Sequence, residues 1–446
     1  MTKVQDKKRA HFEAFGYEPL RMKPAHFASG FFISLTDEVY ANEVLNKVAV
    51  IRANKGLRAG YTAEAILDRL RSDSLIADAV TQPEVETLRV QVNGVVNNDA
   101  AMFPAFSPYR QKGNDYTFIS TRVLTKASRT DGYAGHLVAT VLGATETGRM
   151  VLEFARRVAG VQQGTLDRFV NPLLADGEAE VSGLTAKYTR DYGELQTERI
   201  DDIALQMEAQ STALACLCNN LVNYSHYRRI RYLVLGLLAW LMAYLIRTAA
   251  VHAPEPILLF DFVGGSDGPI RVQSQTCYSR LRDTLGHAYR DLADAGHFSA
   301  DPIEQRVFAR KNRTDEDDFR FLEQHFGGLA LRMGYAQPRA SSVPQKHLEL
   351  QPDTLRALML SILGHDAQSA VRFDQVCDRL RETWNIIVGG SATDADTLQT
   401  KGYFGFDEAD LGRNAAAFAE RLKSLNLAIE PSDGLILCSS DIGEVI

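Results

Sequence analysis

The sharpest catalytic pattern in this chain of 446 residues is Gly264-Gly265-Ser266-Asp267-Gly268. It fits G-x-S-x-G, the elbow in which a nucleophilic serine stands on a tight turn between a strand and a helix. The apolar run Ile257–Val263 directly before it reads as a buried strand, so Ser266 stands where a serine hydrolase would hold its nucleophile. An elbow also needs its helix to begin at the serine, so that the helical N–H groups face the oxyanion. Here Pro269 follows three residues later and Ile270 to Ser274 reads as extended. A plain glycine-rich loop after a strand is therefore favoured. Such a loop can cradle a phosphate on its backbone N–H groups, but no Gly-Lys-Ser/Thr follows, so a P-loop is absent.

A second pattern is Arg282-Asp283-Thr284-Leu285-Gly286-His287. It resembles the R-x-x-x-x-H signature of the HEPN ribonucleases, which implies a site formed when two helical subunits bring their Arg/His pairs together. Residues 274–295 read as a helix with Tyr278, Leu281, Leu285, Ala288, Tyr289 and Leu292 on one stripe. His287 then falls about 150° from that stripe, on the wet face. An ordinary surface pair satisfies the same spacing. The other histidines show no H-x-x-x-H or H-E-x-x-H spacing, and the five cysteines are odd in number and scattered. Cys216 and Cys218 lie about 200° apart on a helix, so they cannot share one tetrahedral ion. The thiols read as reduced and buried, and neither a metal nor a cofactor is expected.

The elements that must position these residues follow from composition and periodicity. A chain of this length exceeds what one core usually supports, so two or three domains are expected. The polar N-terminus has no apolar h-region and reads as no secretory leader. Tyr232 to Ile246 is a 15-residue apolar run bounded by Arg231 and Arg247. As a helix it reaches about 23 Å against a hydrocarbon core of roughly 30 Å, so a buried central helix is favoured over a membrane span.

Residues 1–177 read as mixed, with helices over 37–53, 62–72 and 145–158 and strands over 87–92 and 117–124. Lys47, Arg52, Lys55, Arg58, Arg69 and Arg71 cluster there, but interleaved acids favour a solvated face over a nucleic-acid contact. Residues 178–336 read as helical, with one helix over 201–226 and an exposed acidic loop at 314–318. Residues 337–352 hold three prolines and read as a linker. Residues 353–446 read as helices over 353–363, 373–384 and 408–425, an apolar Ile386–Gly390 segment, and two short strands around Asp433-Gly434. The expected class is mainly α (α+β), a helical multi-domain body with a few strands.

Helices followed by a terminal hairpin resemble a winged helix, a fold that often reads DNA. Duplex binding, however, needs Lys and Arg against phosphate. From Leu350 onward the chain carries 15 Asp/Glu against 8 Lys/Arg, the whole of its net charge of −7. The candidate recognition helix sets Glu408, Asp410 and Glu420 against Arg413, Arg421 and Lys423, and the wing carries Glu430 and Asp433. Protein docking is favoured over direct DNA binding.

Pro256 to Arg271 (PILLFDFVGGSDGPIR), WNIIVGG and NLAIEPSDGLIL together resemble accessory subunits of bacterial phage-defence systems, such as phosphorothioation-dependent restriction. The resemblance implies a non-catalytic cytoplasmic subunit, associated with DNA only indirectly through a partner ATPase or nuclease. The competing expectations are a HEPN-like ribonuclease using Arg282 and His287, a serine hydrolase using Ser266, and a direct DNA-binding protein.

Overall fold

The apolar run at 232–246 lies within a longer helix, and most of the fold is arranged around that helix. The computed structural model describes residues 15–19, 24–35, 39–40, 109–110, 116–117, 132–160, 179–180, 185–186, 188–189, 196–250, 256–265, 268–294, 321–338, 346–364, 370–431 and 434–440. The helices are α1 Pro24–Ser34, α2 Ala134–Ala144, α3 Glu146–Gly160, α4 Thr197–Gln206, α5 Glu208–Asn220 and α6 His226–Ala249. They continue with α7 Pro269–Asp294, α8 Phe321–Met333, α9 Pro352–Ile362, α10 Phe373–Trp384, α11 Asp394–Thr400 and α12 Glu408–Ser424. The strands, each of two residues, are β1 Val39–Tyr40, β2 Tyr109–Arg110, β3 Tyr116–Thr117, β4 Ala179–Glu180, β5 Leu258–Leu259 and β6 Ala336–Gln337. β7 His347–Leu348, β8 Val371–Arg372, β9 Ile386–Ile387, β10 Ala428–Ile429 and β11 Leu437–Cys438 complete the set. The protein is mainly α-helical, as its periodicity leads one to expect.

Helix α6 is the candidate membrane span, and 83% of its most apolar window is buried within the protein. Leu233, Leu237, Trp240, Leu241 and Leu245 have no exposed surface. Gly236 explains how closely α5 approaches: a Cβ there would stand 2.5 Å from Leu217 Cδ2. Trp240 Nε1 donates to Ser211 Oγ across the same contact at 3.1 Å, so the indole is buried without losing its hydrogen bond. The flanking Arg247 donates to the Gln206 carbonyl and to Gln210 Oε1. Residues 201–226 accordingly form two helices instead of the single one expected, broken at buried Met207, where Arg247 satisfies a carbonyl at the end of α4.

The C-terminal elements fall close to their expected bounds. α10 spans 373–384 as read from sequence, and α12 is opened by a capping box in which Asp407 and Asp410 exchange side-chain and backbone bonds. β10 and β11 form the expected antiparallel pair, and β8 joins it to give the sheet order β10-β11-β8.

Three expectations are corrected. Ile270 to Ser274 is helical, not extended: Pro269 sits in the first turn of α7, where its missing N–H costs nothing, and Ile270, Ser274, Cys277 and Leu281 form one buried stripe. Val39–Tyr40, expected within a helix, pairs instead with Ala179 and Glu180. The expected linker at 337–352 is part of the packed structure at both ends, where Gln337 pairs with His347 and Leu348 and Leu350 are buried. The parallel pair β5–β9 further joins residues 258–259 to 386–387 across that boundary. The helices expected over 41–53 and 62–72, the strands over 87–92 and 118–124, the basic cluster between Lys47 and Arg71, the 314–318 loop and Asp433 lie outside the described residues.

Candidate functional site

Strands β5 and β9 run parallel, and each is followed by Val-Gly-Gly-Ser, at 263–266 and 388–391. Both loops therefore leave the same carboxyl end of the pair, the end at which parallel sheets commonly hold ligands. Their glycines serve different purposes. Gly389 has φ +90° and a Cβ there would stand 2.6 Å from the Leu411 carbonyl oxygen, while one on Gly390 would stand 2.4 Å from Cys377 Sγ. Close packing excludes a side chain at both. The second loop is also tied down by Asp394, whose Oδ2 accepts from the Gly389 and Ser391 N–H groups at 3.1 Å each. Arg381 closes the same network, donating to Asp394 Oδ1 at 2.9 Å and to Ser391 Oγ at 2.9 Å. Gly264 and Gly265, with φ +75° and +95°, face open space, as does Gly268. The first loop is the open one.

Beneath the open loop lies a buried polar chain. Asp261, 1% exposed, accepts from Arg271 Nε and from the Gly264 N–H at 3.2 Å. Arg271 Nη1 lies 3.2 Å from His347 Nδ1, and His347 Nε2 lies 3.0 Å from Glu349 Oε2. A guanidinium only donates, so Nδ1 must be the acceptor, and the imidazole proton sits on Nε2 and is given to Glu349. The His347 hydrogen bond, with further help from Arg271 and Arg421, holds the Glu349 carboxyl below the usual carboxylate range. Asp261, two residues beyond β5, Arg271 on α7, His347 in β7 and Glu349 just after it thus form one relay, Asp261–Arg271–His347–Glu349.

Two further side chains set the height of the loop. Asn414 on α12 donates to Phe260 O at 2.8 Å and Val388 O at 3.0 Å, and accepts from the Phe262 N–H at 2.7 Å. It replaces the next ladder bonds between β5 and β9, which is why the expected strand 257–263 shortens to two residues. Ser274 on α7 both donates to Leu348 O and accepts from Leu348 N–H, at 2.9 and 2.8 Å.

Of the catalytic candidates singled out from sequence, Arg282 alone has its side chain among the described residues. Ser266 lies outside the described residues, and α7 begins three positions after it, not at the serine as an elbow requires. Arg282 is partly buried on α7, where it opposes the rise that burial imposes on the Tyr278 phenol. His287 lies on the same helix with its side chain outside the described set, and five residues on a helix separate it from Arg282 by about 140°. All five cysteines are free thiols; burial raises them all, Cys277 to about 11 and Cys438 to about 12. No group of three His, Cys, Asp or Glu poised for a metal occurs among the described residues.

Sequence reading missed Asp261, Arg271, His347, Glu349 and Asn414 as a set. One signal was available: a carboxylate inside the run Ile257–Val263 must be paired if that run is buried. Nothing local identified its partners.

The open loop is one edge of a wider surface that includes α12. There, Arg413 pairs with Asp410, and Lys423 pairs with Glu420 at 2.8 Å and with Glu430. A shallow cleft between α5, α6 and the start of β9 has its amide committed internally, Gln210 Nε2 donating to Thr383 O at 2.5 Å. No family model, curated protein or solved structure matches this chain.

Proposed function

We propose that the chain is a non-catalytic subunit of a bacterial cytoplasmic complex that docks a protein partner through its C-terminal segment. The observation that carries this reading is the pairing on α12: Arg413 and Lys423 are each bound to carboxylates of their own segment. The order α9, β8, α10, β9, α11, α12, β10, β11, with sheet order β10-β11-β8, favours a winged helix in which β9 and α11 are inserted before α12, the helix in the place of the recognition helix. A helix on which two of three bases are paired with carboxylates of their own segment offers little for counterion release, so a duplex is a poor ligand for it. Its exposed residues Ala409, Gly412 and Ala416 suit close approach by another protein. The sequence resemblance to phage-defence subunits adds an ATPase or nuclease as the expected partner.

The test is purification of the tagged full chain from its native host at moderate salt, with stoichiometric proteins identified by mass spectrometry. Truncation at Ala340 would remove β7 and β9, the ladder partners of β6 and β5, so a surface variant is the cleaner companion. Ala416→Glu with Leu435→Asp should lose the partner and keep the thermal midpoint. Elution of the wild type alone, or nanomolar binding of duplex DNA that falls steeply with salt, would overturn the reading.

A further inference from the structure

Exposed apolar side chains lie at the open glycine loop, in the first turn of α7 and in a segment packed along that helix. Val263, Val272 and Phe404 are 51%, 46% and 65% exposed, three of the few large apolar side chains that the described residues present to solvent. Val263 enters the loop and Val272 lies in the first turn of α7, bonded through its N–H to Gly268 O at 3.1 Å. Phe404 belongs to the segment 401–406, which lies along the same helix: a Cβ on Gly405 would stand 3.9 Å from Gln273 Nε2.

That segment is built rigidly. Arg280 of α7 donates to Lys401 O at 2.9 Å and to Gly402 O at 2.8 Å, and its guanidinium stands 4.2 Å from the Tyr403 ring centroid. Gly402 and Gly405, with φ +77° and +85°, let the backbone turn on either side of Phe404. Tyr403 is thereby buried and Phe404 left outward. A preorganised aromatic loses little entropy on binding, the property of an interface anchor.

Charge chooses the occupant. Asp396, Asp407 and Glu408 are exposed in the stretch of chain that carries the anchor, against the half-buried Lys401, while the nearby Arg280 is engaged by two carbonyls and a ring, and Arg413 by Asp410. We propose that Val263, Val272 and Phe404 seat an amphipathic segment of a protein partner in which apolar side chains are flanked by Lys or Arg. A second copy of this chain would bring the same acidic stretch against itself, and nucleic acid or an anionic membrane would meet like charge. This inference rests on the docking function proposed above and names the surface and chemistry it uses.

The test places benzoylphenylalanine at position 404 in the full chain, irradiates in the native host, and sequences the cross-linked peptide. A net-basic partner segment containing Leu, Ile, Phe or Met at the adduct is the expected result. An acidic or neutral segment, a peptide of this chain, or no adduct overturns the proposal. In parallel, Val272→Asp with Phe404→Asp should reduce co-purifying partner at least tenfold, and Glu408→Lys several-fold with a weaker dependence on salt. If the wild type retains a partner and the double variant retains it equally, this surface is wrong and the docking function stands. If the wild type retains none, both fall.

Discussion

Replacing Arg271 by Met should uncover how much of the fold depends on the relay beneath the glycine loop. The variant leaves Asp261 in place, 1% exposed, with the Gly264 N–H still donating to it but its Arg271 partner gone. At a separation of roughly 3 Å and an effective dielectric near 20, the lost attraction is about 5 kcal/mol, part of which the wild type already spends on desolvation. Breaking a buried pair from one side typically costs about 3–5 kcal/mol, or roughly two to three and a half decades in the folding equilibrium. Arg271→Met with Asp261→Asn removes the stranded charge as well and should recover more than half of that loss. The assay is urea unfolding of the four proteins of the cycle, with amide hydrogen exchange read at Phe260, Asp261 and Gly264. A single-variant loss below about 1 kcal/mol, or a double variant no better than Arg271→Met, would refute the reasoning, because the Asp261 charge would then be relieved by something other than Arg271.

Asn414→Leu strands three backbone groups, Phe260 O, Val388 O and the Phe262 N–H, at about 1–3 kcal/mol each; a thermal midpoint within error of the wild type would exclude the bridging role. Gly264→Ala meets only the left-handed backbone penalty of about 1 kcal/mol, whereas Gly389→Ala adds a clash, its Cβ standing 2.6 Å from the Leu411 carbonyl oxygen, and should cost more than twice as much by chemical denaturation. Glu349 has its carboxyl lowered from 4.5, so its stabilisation is present above that value and is lost as pH falls through the lower folded-state value. Glu349→Gln should therefore flatten the fall in thermal midpoint below about pH 4.5; parallel profiles for the two proteins would rule the contribution out.

Helix identity was legible in the sequence because helical hydrogen bonds are local, joining each residue to the one four before it. The apolar residues Met150, Val151, Leu152, Phe154 and Ala155 suffice to place α3, although Met150 proves 48% exposed, and the uninterrupted apolar run places α6 at the centre. The terminal hairpin was equally local, turning at Gly434 with φ +72°. The sharp motifs were less informative: G-x-S-x-G and R-x-x-x-x-H are patterns of a few residues, and what the structure adds is that α7 begins at Pro269, three positions after Ser266. What only the tertiary structure decided were the pairings of groups far apart in the chain. Arg271 meets His347 across 76 residues and Asn414 meets Phe260 across 154, and those contacts tie the glycine loop to the residues that pack at the C-terminal end of the expected linker. Periodicity says that a side chain is buried. Which distant polar group then satisfies it depends on how whole elements pack, and burial without a partner is too costly for that choice to be left open.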